Sequence, residues 1–391
     1  MVRLLDLTRL VSRQGRGPMT GVDRVEFAYL TQVVGMAAPV FGLVRTRFGF
    51  VLLDRVGMQR VSARVANGGG KPDLLGRISW RGDPARAASE ADVRRDAIGR
   101  AVVPFLGRLL RRLPDGFDYL NVGHANLTDR VMRAVKARGG RIAVLVHDTI
   151  PLDHSEFTRP GIPGVFGRKL QVVAAHADLV IHTTQDARAR TESQLAKRGR
   201  VPRGIVAHLG VTLAAPDRAS LPQGLDLTAP YVVAIGTVEP RKNYELLLKV
   251  WREGRDLPRL IIIGGKGWAD PATFAQLETT PGVTLIPGLD DAAVAALLSG
   301  ARALVFPSLA EGFGLPPLEA AARGVPVIVA DLPVFRELLG DYPVYLSSSD
   351  SYSWLETIRA LGNSPIVPQI MANPVIVPNW DDHFNAVLTN I

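Results

Sequence analysis

Five short, unbroken apolar runs in the second half of the chain constrain its fold more than any other feature. They are YVVAIGTV (231–238), LIIIGG (260–265), VTLIPG (283–288), ALVFPS (303–308) and VPVIVA (325–330). Strands buried on both faces read as continuous apolar runs, whereas half-exposed strands alternate apolar and polar residues. Stretches of helical periodicity, such as YELLLKVWREG, separate the runs. Strands that alternate with helices in this way predict a doubly wound α/β domain around a parallel sheet.

The first half repeats the pattern more loosely, so the chain is predicted to hold two Rossmann-like domains. Strands are expected at 118–124, 141–148, 178–184 and 204–211, and helices at 22–34, 127–137, 163–177 and 185–198. Residues 67–89, which include NGGGKPD, read as a mobile surface excursion.

The predicted boundaries follow from a change in composition. Residues 212–230 are rich in Pro, Ala and Asp, as linkers are. We predict an N-terminal domain over 1–211, a linker over 212–230, a C-terminal domain over 231–375, and a tail or helix over 376–391 that crosses back to the N-terminal domain. The two domains would face each other across a cleft, and open α/β sheets bind ligands at the carboxyl ends of their strands.

Composition excludes several classes of protein. The chain has no cysteine, which excludes disulfides, thiolate nucleophiles and cysteine-held metals and suits a reducing cytoplasm. No run of 18 apolar residues occurs, so no membrane span is expected. The net charge of +9 favours anionic partners, but the basic residues are scattered and no nucleic-acid motif accompanies them. We therefore expect a cytoplasmic protein that does not bind nucleic acid.

Two adjacent cations follow the first apolar run, in IGTVEPRKN (235–243). Arg241 and Lys242 stand just before a predicted helix, whose N-terminus carries free N–H groups and partial positive charge. Such a corner suits a pyrophosphate, and arginine can make forked contacts to it. The alternative is that both cations are solvated and Asn243 caps the helix.

Two acids flank a glycine- and proline-rich corner in EGFGLPPLE (311–319). Glu311 is predicted in the loop that follows a strand, and Glu319 in the first turn of the next helix. A carboxylate binds sugar hydroxyls well because both of its oxygens accept hydrogen bonds. The alternatives are a solvated loop acid for Glu311 and a favourable helix-dipole contact for Glu319.

These two motifs, in this order, resemble those of retaining glycosyltransferases of family 4, which have the two-domain GT-B fold. The acid pair resembles that family's motif of two glutamates separated by seven residues. The resemblance is specific over about 231–340 and extends more weakly to TGVDRVE (20–26) and LVHDTIPL (145–152), which resemble bacterial polysaccharide enzymes of the family. Residues 60–115 resemble nothing in it.

The resemblance implies roles for matching positions. The C-terminal domain would hold a nucleotide-diphosphate sugar, the donor, and the N-terminal domain the acceptor. Arg241 and Lys242 would hold the pyrophosphate, Glu311 the donor sugar and Glu319 the ribose hydroxyls. The predicted donor-binding residues are Gly21, Gly236, Thr237, Arg241, Lys242, Gly264, Gly265, Glu311, Gly312, Phe313, Gly314, Leu315 and Glu319. Thr20 or Gly21, in the glycine-bearing loop GRGPMTGVDRVE (15–26), would lie against the donor phosphates or the acceptor, and a flexible loop followed by an ordinary helix cap is the alternative.

A histidine at the end of an N-terminal strand completes the predicted centre. His147 and Asp148 end RIAVLVHD, and in similar enzymes this histidine lies beside the sugar. The alternative is a histidine packed at a strand end, with Asp148 either orienting the imidazole or ending the strand. The predicted catalytic residues are His147, Asp148, Arg241, Lys242 and Glu311.

The predicted reaction is transfer of a hexose from a nucleotide-diphosphate sugar, GDP-mannose by preference, to a saccharide or lipid-linked acceptor in polysaccharide assembly. The chain has no Asp-x-Asp pair, so no metal and no other cofactor is expected. A nucleotide-sugar epimerase of the same fold and a non-catalytic sugar-nucleotide binding module are the alternatives. The Arg- and Leu-rich segment 91–116 suggests peripheral contact with the anionic inner face of a membrane, or a helix that packs on its own sheet.

Overall fold

The structure is a computed structural model that describes residues 1–80, 82–363 and 375–391. An eight-stranded sheet forms the first half, in the order β4-β3-β2-β1-β5-β6-β7-β8. The pairs β2–β3 and β3–β4 are antiparallel and the others are parallel. Its strands are β1 (Arg3–Asp6), β2 (Val40–Thr46), β3 (Gly49–Leu53), β4 (Gly99–Ala101), β5 (Asp118–Asn121), β6 (Arg141–Val146), β7 (Leu179–His182) and β8 (Arg203–Val206).

A second sheet, of six parallel strands, forms the other half, in the order β11-β10-β9-β12-β13-β14. All five apolar runs of this half contain strands of this sheet. Strands β9, β10, β12 and β13 are largely or fully buried because helices cover both faces of the sheet, whereas the edge strand β11 is only partly buried. The strands are β9 (Tyr231–Ile235), β10 (Arg259–Ile263), β11 (Val283–Ile286), β12 (Leu304–Phe306), β13 (Val327–Ala330) and β14 (Val344–Leu346).

Helices lie between most successive strands in both halves, whereas a tight turn joins the antiparallel strands β2 and β3. In the first half they are α1 (Thr8–Arg13), α2 (Gly21–Gly35), α3 (Arg55–Asn67), α4 (Leu74–Ser79), α5 (Pro84–Arg95), α6 (Leu106–Leu110), α7 (Asp129–Lys136), α8 (Ile150–Asp153), α9 (Ile162–His176) and α10 (Gln185–Ala196). In the second half they are α11 (Tyr244–Glu253), α12 (Pro271–Thr279), α13 (Asp291–Gly300), α14 (Leu315–Ala322), α15 (Pro333–Leu339), α16 (Ser351–Asn363) and α17 (Trp380–Asn390). Short 3₁₀ helices span Val103–Phe105, Ser155–Phe157, Arg218–Ser220 and Pro240–Lys242.

Residues 67–89 contain more regular structure than their composition suggests, although residues 68–73 have neither helix nor strand. Helix α4 and the first half of α5 lie here, and Ala87, Ala88 and Ser89 are buried. The Arg94 guanidinium ties the two helices together by donating to Asp73, 2.6 Å away. Small residues at close spacing let α5 pack tightly, and composition alone reads such residues as a loop.

The Arg- and Leu-rich segment 91–116 is not one continuous helix. It contains the end of α5, strand β4, a 3₁₀ turn and the short helix α6. Leu109 and Leu110 are buried in the core of the first sheet, whereas Arg108 and Arg111 are exposed. This is the arrangement of the second alternative above, in which the segment packs on its own sheet. Within the described part of the chain, no helix has both the length and the apolar character that crossing a membrane requires.

The last helix returns to the first half of the molecule. The Tyr29 hydroxyl of α2 donates to Nε2 of His383 at 2.8 Å, and Phe384 packs edge-on against the Tyr29 ring. Residues 364–374, which the predicted C-terminal domain includes, lie outside the described residues. The linker has no regular structure beyond one 3₁₀ turn among its residues, all of which are described.

The two halves touch through the loops that follow their strands. Backbone N–H groups of Gln185 and Asp186, at the start of α10, donate to the Glu337 carboxylate of α15 at 2.7 and 3.3 Å. The Thr183 hydroxyl donates to the Gly312 carbonyl at 3.1 Å. The carboxyl ends of the parallel strands in the two sheets therefore meet, as the predicted cleft requires.

Candidate nucleotide-sugar site

The turn after β9 holds the paired cations in place. The chain leaves the strand at Gly236, where φ is +150°, and forms the 3₁₀ turn that contains Arg241 and Lys242. The Lys242 side chain folds back over Gly236, where an added Cβ would lie 2.8 Å from Lys242 Cε. Its ammonium also lies 4.4 Å from the centre of the Phe306 ring, a favourable cation–π contact. A side chain at position 236 would displace the Lys242 side chain, so glycine is needed there.

Asn243 joins this turn to helix α11 but does not cap the helix with its side chain. It adopts a left-handed conformation with φ of +55°. Its amide donates to the carbonyls of Pro307 and Ser348, which anchors the cation-bearing turn to the neighbouring loops. The capping alternative is therefore not what the structure shows.

Glu311 pairs with both cations. Its Oε1 lies 2.6 Å from Lys242 Nζ and its Oε2 lies 2.7 Å from Arg241 Nη1. Burial by itself would raise the pKa of Glu311, but Arg241 and Lys242 outweigh it and lower the pKa to about 2. Burial lowers the pKa of Lys242, with Glu311 opposing it at hydrogen-bond distance. The group is an ion triad at neutral pH, and the loop acid is not solvated.

Glu239 is a fourth charged member that the sequence analysis missed. Its Oε1 accepts a hydrogen bond from Arg241 Nη2 at 2.7 Å, and the residue is 7% exposed. The Arg241 guanidinium therefore lies between two carboxylates, which orient it. Burial opposes ionisation of Arg241, but Glu311 and Glu239 raise its pKa above the usual value. The sequence carries the signal in the spacing Glu-Pro-Arg, two residues apart in one tight turn.

Glu319 lies away from this triad and faces a different set of charges. Helix α14 begins at Leu315, so Glu319 falls in its second turn and not in the first turn as predicted. A favourable contact with the helix dipole is lost at that distance from the N-terminus. Arg24 of the N-terminal domain donates to Glu319 Oε1 at 2.7 Å and also contacts Asp291 of α13. Burial raises the pKa of Glu319, while Arg24 lowers it and Asp291 raises it.

The loop between the two glutamates touches the N-terminal domain. A Cβ on Gly312 would lie 2.9 Å from Asp148 Cβ and from the His147 carbonyl oxygen, so only glycine fits this closed arrangement. Gly314 adopts a left-handed conformation with φ of +91° immediately before α14. The Phe313 side chain is buried, with its ring 6.4 Å from that of His208.

Leu315 and Gly21 meet across the cleft. An added Cβ on Gly21 would lie 3.8 Å from Leu315 Cδ1, which is ordinary contact distance. Gly21 is the first residue of α2, and Thr20 and Asp23 form a reciprocal capping box there. Thr20 is thus an ordinary helix cap, and Gly21 lies at the cleft beside it.

His147 and Asp148 lie at the end of β6, against Gly312. His147 is 9% exposed and its Nε2 lies 2.7 Å from the Val122 carbonyl, so that nitrogen donates and Nδ1 is left as an acceptor. Burial lowers the pKa of His147 to about 4, so the imidazole is neutral at pH 7. Asp148 Oδ1 accepts from the Ile150 N–H at 3.0 Å, so Asp148 fixes the start of α8 and Val122 orients the imidazole.

The remaining predicted donor residues fall at the ends of β9 and β10. A Cβ on Gly264 would lie 1.9 Å from the Gly236 carbonyl oxygen, so this glycine is required for close approach of two loops. Gly265 has open space around it, and its carbonyl accepts from the Val238 N–H at 3.1 Å. Thr237 is exposed at the same edge.

The two glutamates line two separate pockets between the domains. Asp148, Glu311 and Gly312 line one, together with His154 and Arg190 of α8, α10 and their flanking turns. The other is lined by residues that include Arg24, Thr212, Asp291, Glu319 and Arg323. The structure thus brings Arg241, Lys242, Glu311, His147 and Asp148 to one end of the interface and places Glu319 at the other.

Comparison with known proteins shows which proteins this chain is similar to. Residues 218–373 match the family model described as glycosyl transferases group 1, a description compatible with the predicted family 4. The chain is 32% identical over 235 residues to the serotype-specific mannosyltransferase WbdA of Escherichia coli, an alignment that covers 55% of this chain and 29% of WbdA. It is 37% identical over 140 residues to the O-antigen chain mannosyltransferase RfbU of Salmonella typhimurium, covering 34% of this chain and 39% of RfbU. The chain thus spans about a third of the length of these relatives.

Solved structures resemble the whole chain. HepE from Anabaena, crystallised with UDP-glucose, superposes with a TM-score of 0.64 at 14% identity, covering 100% of this chain and 97% of HepE. Sucrose-phosphate synthase from Thermosynechococcus elongatus gives 0.62 at 15% identity, with 100% and 97% covered. The predicted resemblance and the predicted fold are both confirmed. The chain has the two-domain GT-B fold, and its residues 218–373 match the glycosyl transferases group 1 family model.

Proposed function

We propose that this protein transfers a mannosyl residue from GDP-mannose to a saccharide or lipid-linked acceptor during bacterial polysaccharide assembly, with retention of anomeric configuration. The observation that carries the proposal is the buried triad of Arg241, Lys242 and Glu311, which faces His147 and Asp148 at the meeting point of the two sheets. Similarity to the mannosyltransferases WbdA and RfbU favours mannose as the sugar.

The cations would act on the leaving group. As the bond between the sugar C1 and the phosphate oxygen breaks, negative charge grows on the departing diphosphate. Preorganised donors aimed at such charge typically contribute about 3–4 kcal/mol each when they are shielded from water. The side chains of Lys242 and Arg241 are 11% and 19% exposed, so both are largely shielded from water. In the donor-free protein Glu311 and Glu239 balance the charge of the two cations, and the diphosphate would take over part of that role.

Glu311 is poorly suited to act as a nucleophile. Retaining glycosidases use a free carboxylate about 5 Å from a second carboxyl group. Here both oxygens of Glu311 are bound to cations, and its pKa of about 2 marks a weakly basic oxygen. We therefore assign Glu311 to the sugar hydroxyls. The acceptor oxygen would attack C1 on the face that the diphosphate leaves, and its proton would pass to a departing phosphate oxygen, which balances the reaction.

His147 would contribute as a neutral group. A pKa of about 4 keeps it uncharged at pH 7, so it adds no cation beside the developing positive charge on the sugar. Its Nε2 proton is committed to Val122, which leaves Nδ1 to accept from a sugar hydroxyl. His147 is thus suited to orient the sugar and not to act as a general acid.

A binding screen followed by turnover tests the proposal. Thermal shift with GDP-, UDP- and dTDP-sugars should select GDP-mannose, and product nuclear magnetic resonance should show the α-configured linkage expected of retention. Lys242→Met should lower kcat/KM at least a hundredfold, as loss of one oxyanion donor does. Lys249→Met, which removes an exposed lysine from helix α11, just after the 3₁₀ turn that carries Lys242, serves as the matched control and should leave kcat/KM unchanged.

Two outcomes would count against this function. Conversion of the sugar nucleotide into an epimer without acceptor would make the protein an epimerase. We also propose that the reaction needs no metal, since two cations already face the diphosphate. Loss of activity in EDTA that Mg²⁺ or Mn²⁺ restores would contradict this part.

A further inference from the structure

Arg24 is the residue by which the N-terminal domain reaches the second glutamate of the acid pair. It lies in the first turn of α2, a helix fixed at its start by the Thr20–Asp23 capping box. Its Nη1 donates to Glu319 Oε1 at 2.7 Å, and its Nη2 contacts Asp291. One side chain of the N-terminal domain is therefore held between two helices of the other domain.

The contact with Arg24 leaves one carboxylate oxygen of Glu319 available to accept a hydrogen bond from a ligand. In the part of the chain that the structure describes, Oε1 is bonded to Arg24 and Oε2 accepts no hydrogen bond. A carboxylate offers about four acceptor positions, so the free oxygen can receive a hydroxyl while Arg24 stays in place. Glu319 is 13% exposed on its side chain and lines a pocket together with Arg24, Asp291 and Arg323. A ligand can therefore reach it without breaking the contact between the domains.

The charges around Glu319 make its ionisation depend on Arg24. The charged groups that face it are Arg24 from α2, Asp291 from α13 and Arg323, which follows α14. Burial raises the pKa of Glu319, Asp291 raises it further, and Arg24 is the largest influence that lowers it. Arg323 contributes less and is engaged with the Ala214 carbonyl at 2.7 Å.

We propose that Arg24 is a positioning residue for the nucleotide: it keeps Glu319 ionised and oriented so that Oε2 accepts a ribose hydroxyl. This inference rests on the proposed function, because it takes the ligand to be a nucleoside diphosphate sugar. Since Arg24 belongs to the other domain, it performs this role only when the domains are closed. Ribose recognition would thus be coupled to domain closure through a single side chain.

The test compares nucleotides with and without ribose hydroxyls. Calorimetric Kd values are measured for GDP and 2′,3′-dideoxy-GDP, and for UDP and its dideoxy analogue, between pH 5 and 7.5. The ratio of the two Kd values at each pH cancels the titration of the diphosphate itself. A hydrogen bond to a charged group corresponds to about a tenfold to hundredfold preference for the ribose form, which is the ratio expected for the wild type.

Matched variants separate this role from general loss of contact. Arg24→Ala should reduce the ratio to about threefold or less at pH 7.5, as a weakened charged hydrogen bond would. In this variant the ratio should also begin to fall at a higher pH than in the wild type. Arg24→Lys should keep much of the preference. Asp291→Asn breaks the other ion pair of Arg24 but lowers the pKa of Glu319, so it should keep the full ratio.

Each result bears on one of the two proposals. A wild type that binds none of these nucleotides overturns the proposed function and this inference with it. A wild type that binds GDP or UDP but shows the same ratio in Arg24→Ala, or loses the ratio equally in Asp291→Asn, overturns the role of Arg24 alone. Additional loss in Arg24→Ala/Glu319→Gln beyond that of Glu319→Gln would also contradict action through Glu319.

Discussion

Replacing Glu311 by glutamine should destabilise the C-terminal domain at neutral pH. The carboxylate contacts Lys242 at 2.6 Å and Arg241 at 2.7 Å, and the pair of cations would be left buried without it. A pKa that falls from 4.5 to about 2 corresponds to about 3 kcal/mol of extra stabilisation of the ionised form, at about 1.4 kcal/mol for each factor of ten. Removing one partner of a buried pair typically costs about 3–5 kcal/mol, which agrees.

The pH dependence of this loss has a definite sign. The pKa of Glu311 is lower in the folded than in the unfolded chain, so its stabilisation is present in full above pH 4.5 and is lost as the pH falls through about 2. The difference in unfolding free energy between wild type and Glu311→Gln should therefore be largest at pH 7 and shrink below pH 4.5.

Urea unfolding followed by tryptophan fluorescence measures this difference. Trp251 and Trp354 are buried in the core of the C-terminal sheet and report on its unfolding. Glu253→Gln, which removes an exposed acid from α11, is the matched control and should change the free energy little at any pH. Equal stability of wild type and Glu311→Gln at pH 7, or a difference that stays constant down to pH 3, would refute the reasoning.

Three further predictions follow from the same contacts. Gly312→Ala should lower kcat more than it raises the donor KM, because the added methyl group meets Asp148 at 2.9 Å and opposes closure; unchanged steady-state kinetics would argue against a closed active form. His147→Asn should reduce the loss of stability between pH 6.5 and 4, since a neutral buried histidine with a pKa of about 4 must gain a proton on unfolding in that range; acid titration of both proteins checks this. Glu337→Gln should weaken the contact between the domains, because its carboxylate caps the N-terminus of α10 from the other domain; faster hydrogen exchange at the Gln185 amide would show it, and unchanged protection would count against it.

Much of the fold could be predicted from the sequence because the central strands of both sheets are buried on both faces. All five apolar runs of the second half proved to contain neighbouring strands of one parallel sheet. The contact between Lys242 and Glu311 follows from the same rule, since both residues come after strands that are neighbours in that sheet. In residues 67–89 composition indicated the loop at 68–73 but missed helices α4 and α5, where small residues allow α5 to pack closely.

The parts of the site that were missed depend on how the domains meet. Nothing in TGVDRVE indicates that Arg24 would reach Glu319, which is 295 residues away in the sequence. The position of Glu319 in the second turn of α14 depends on where Gly314 turns the chain, which residue types alone leave open. The role of Asp148 could not be predicted from the sequence either. Only the hydrogen bonds in the structure show that Asp148 accepts from the Ile150 N–H at the start of α8, while Val122 orients the imidazole.

The central claim is that Arg241 and Lys242 hold the diphosphate of a nucleotide sugar. A crystal structure with the donor that binds most tightly in the thermal-shift screen tests it most directly, through the distance from Lys242 Nζ to the nearest phosphate oxygen. We predict about 3 Å, the length of a charged hydrogen bond, with Glu311 turned towards the sugar hydroxyls. A diphosphate bound outside the cleft, or one held by the protein with Lys242 still paired only to Glu311, would contradict the assignment.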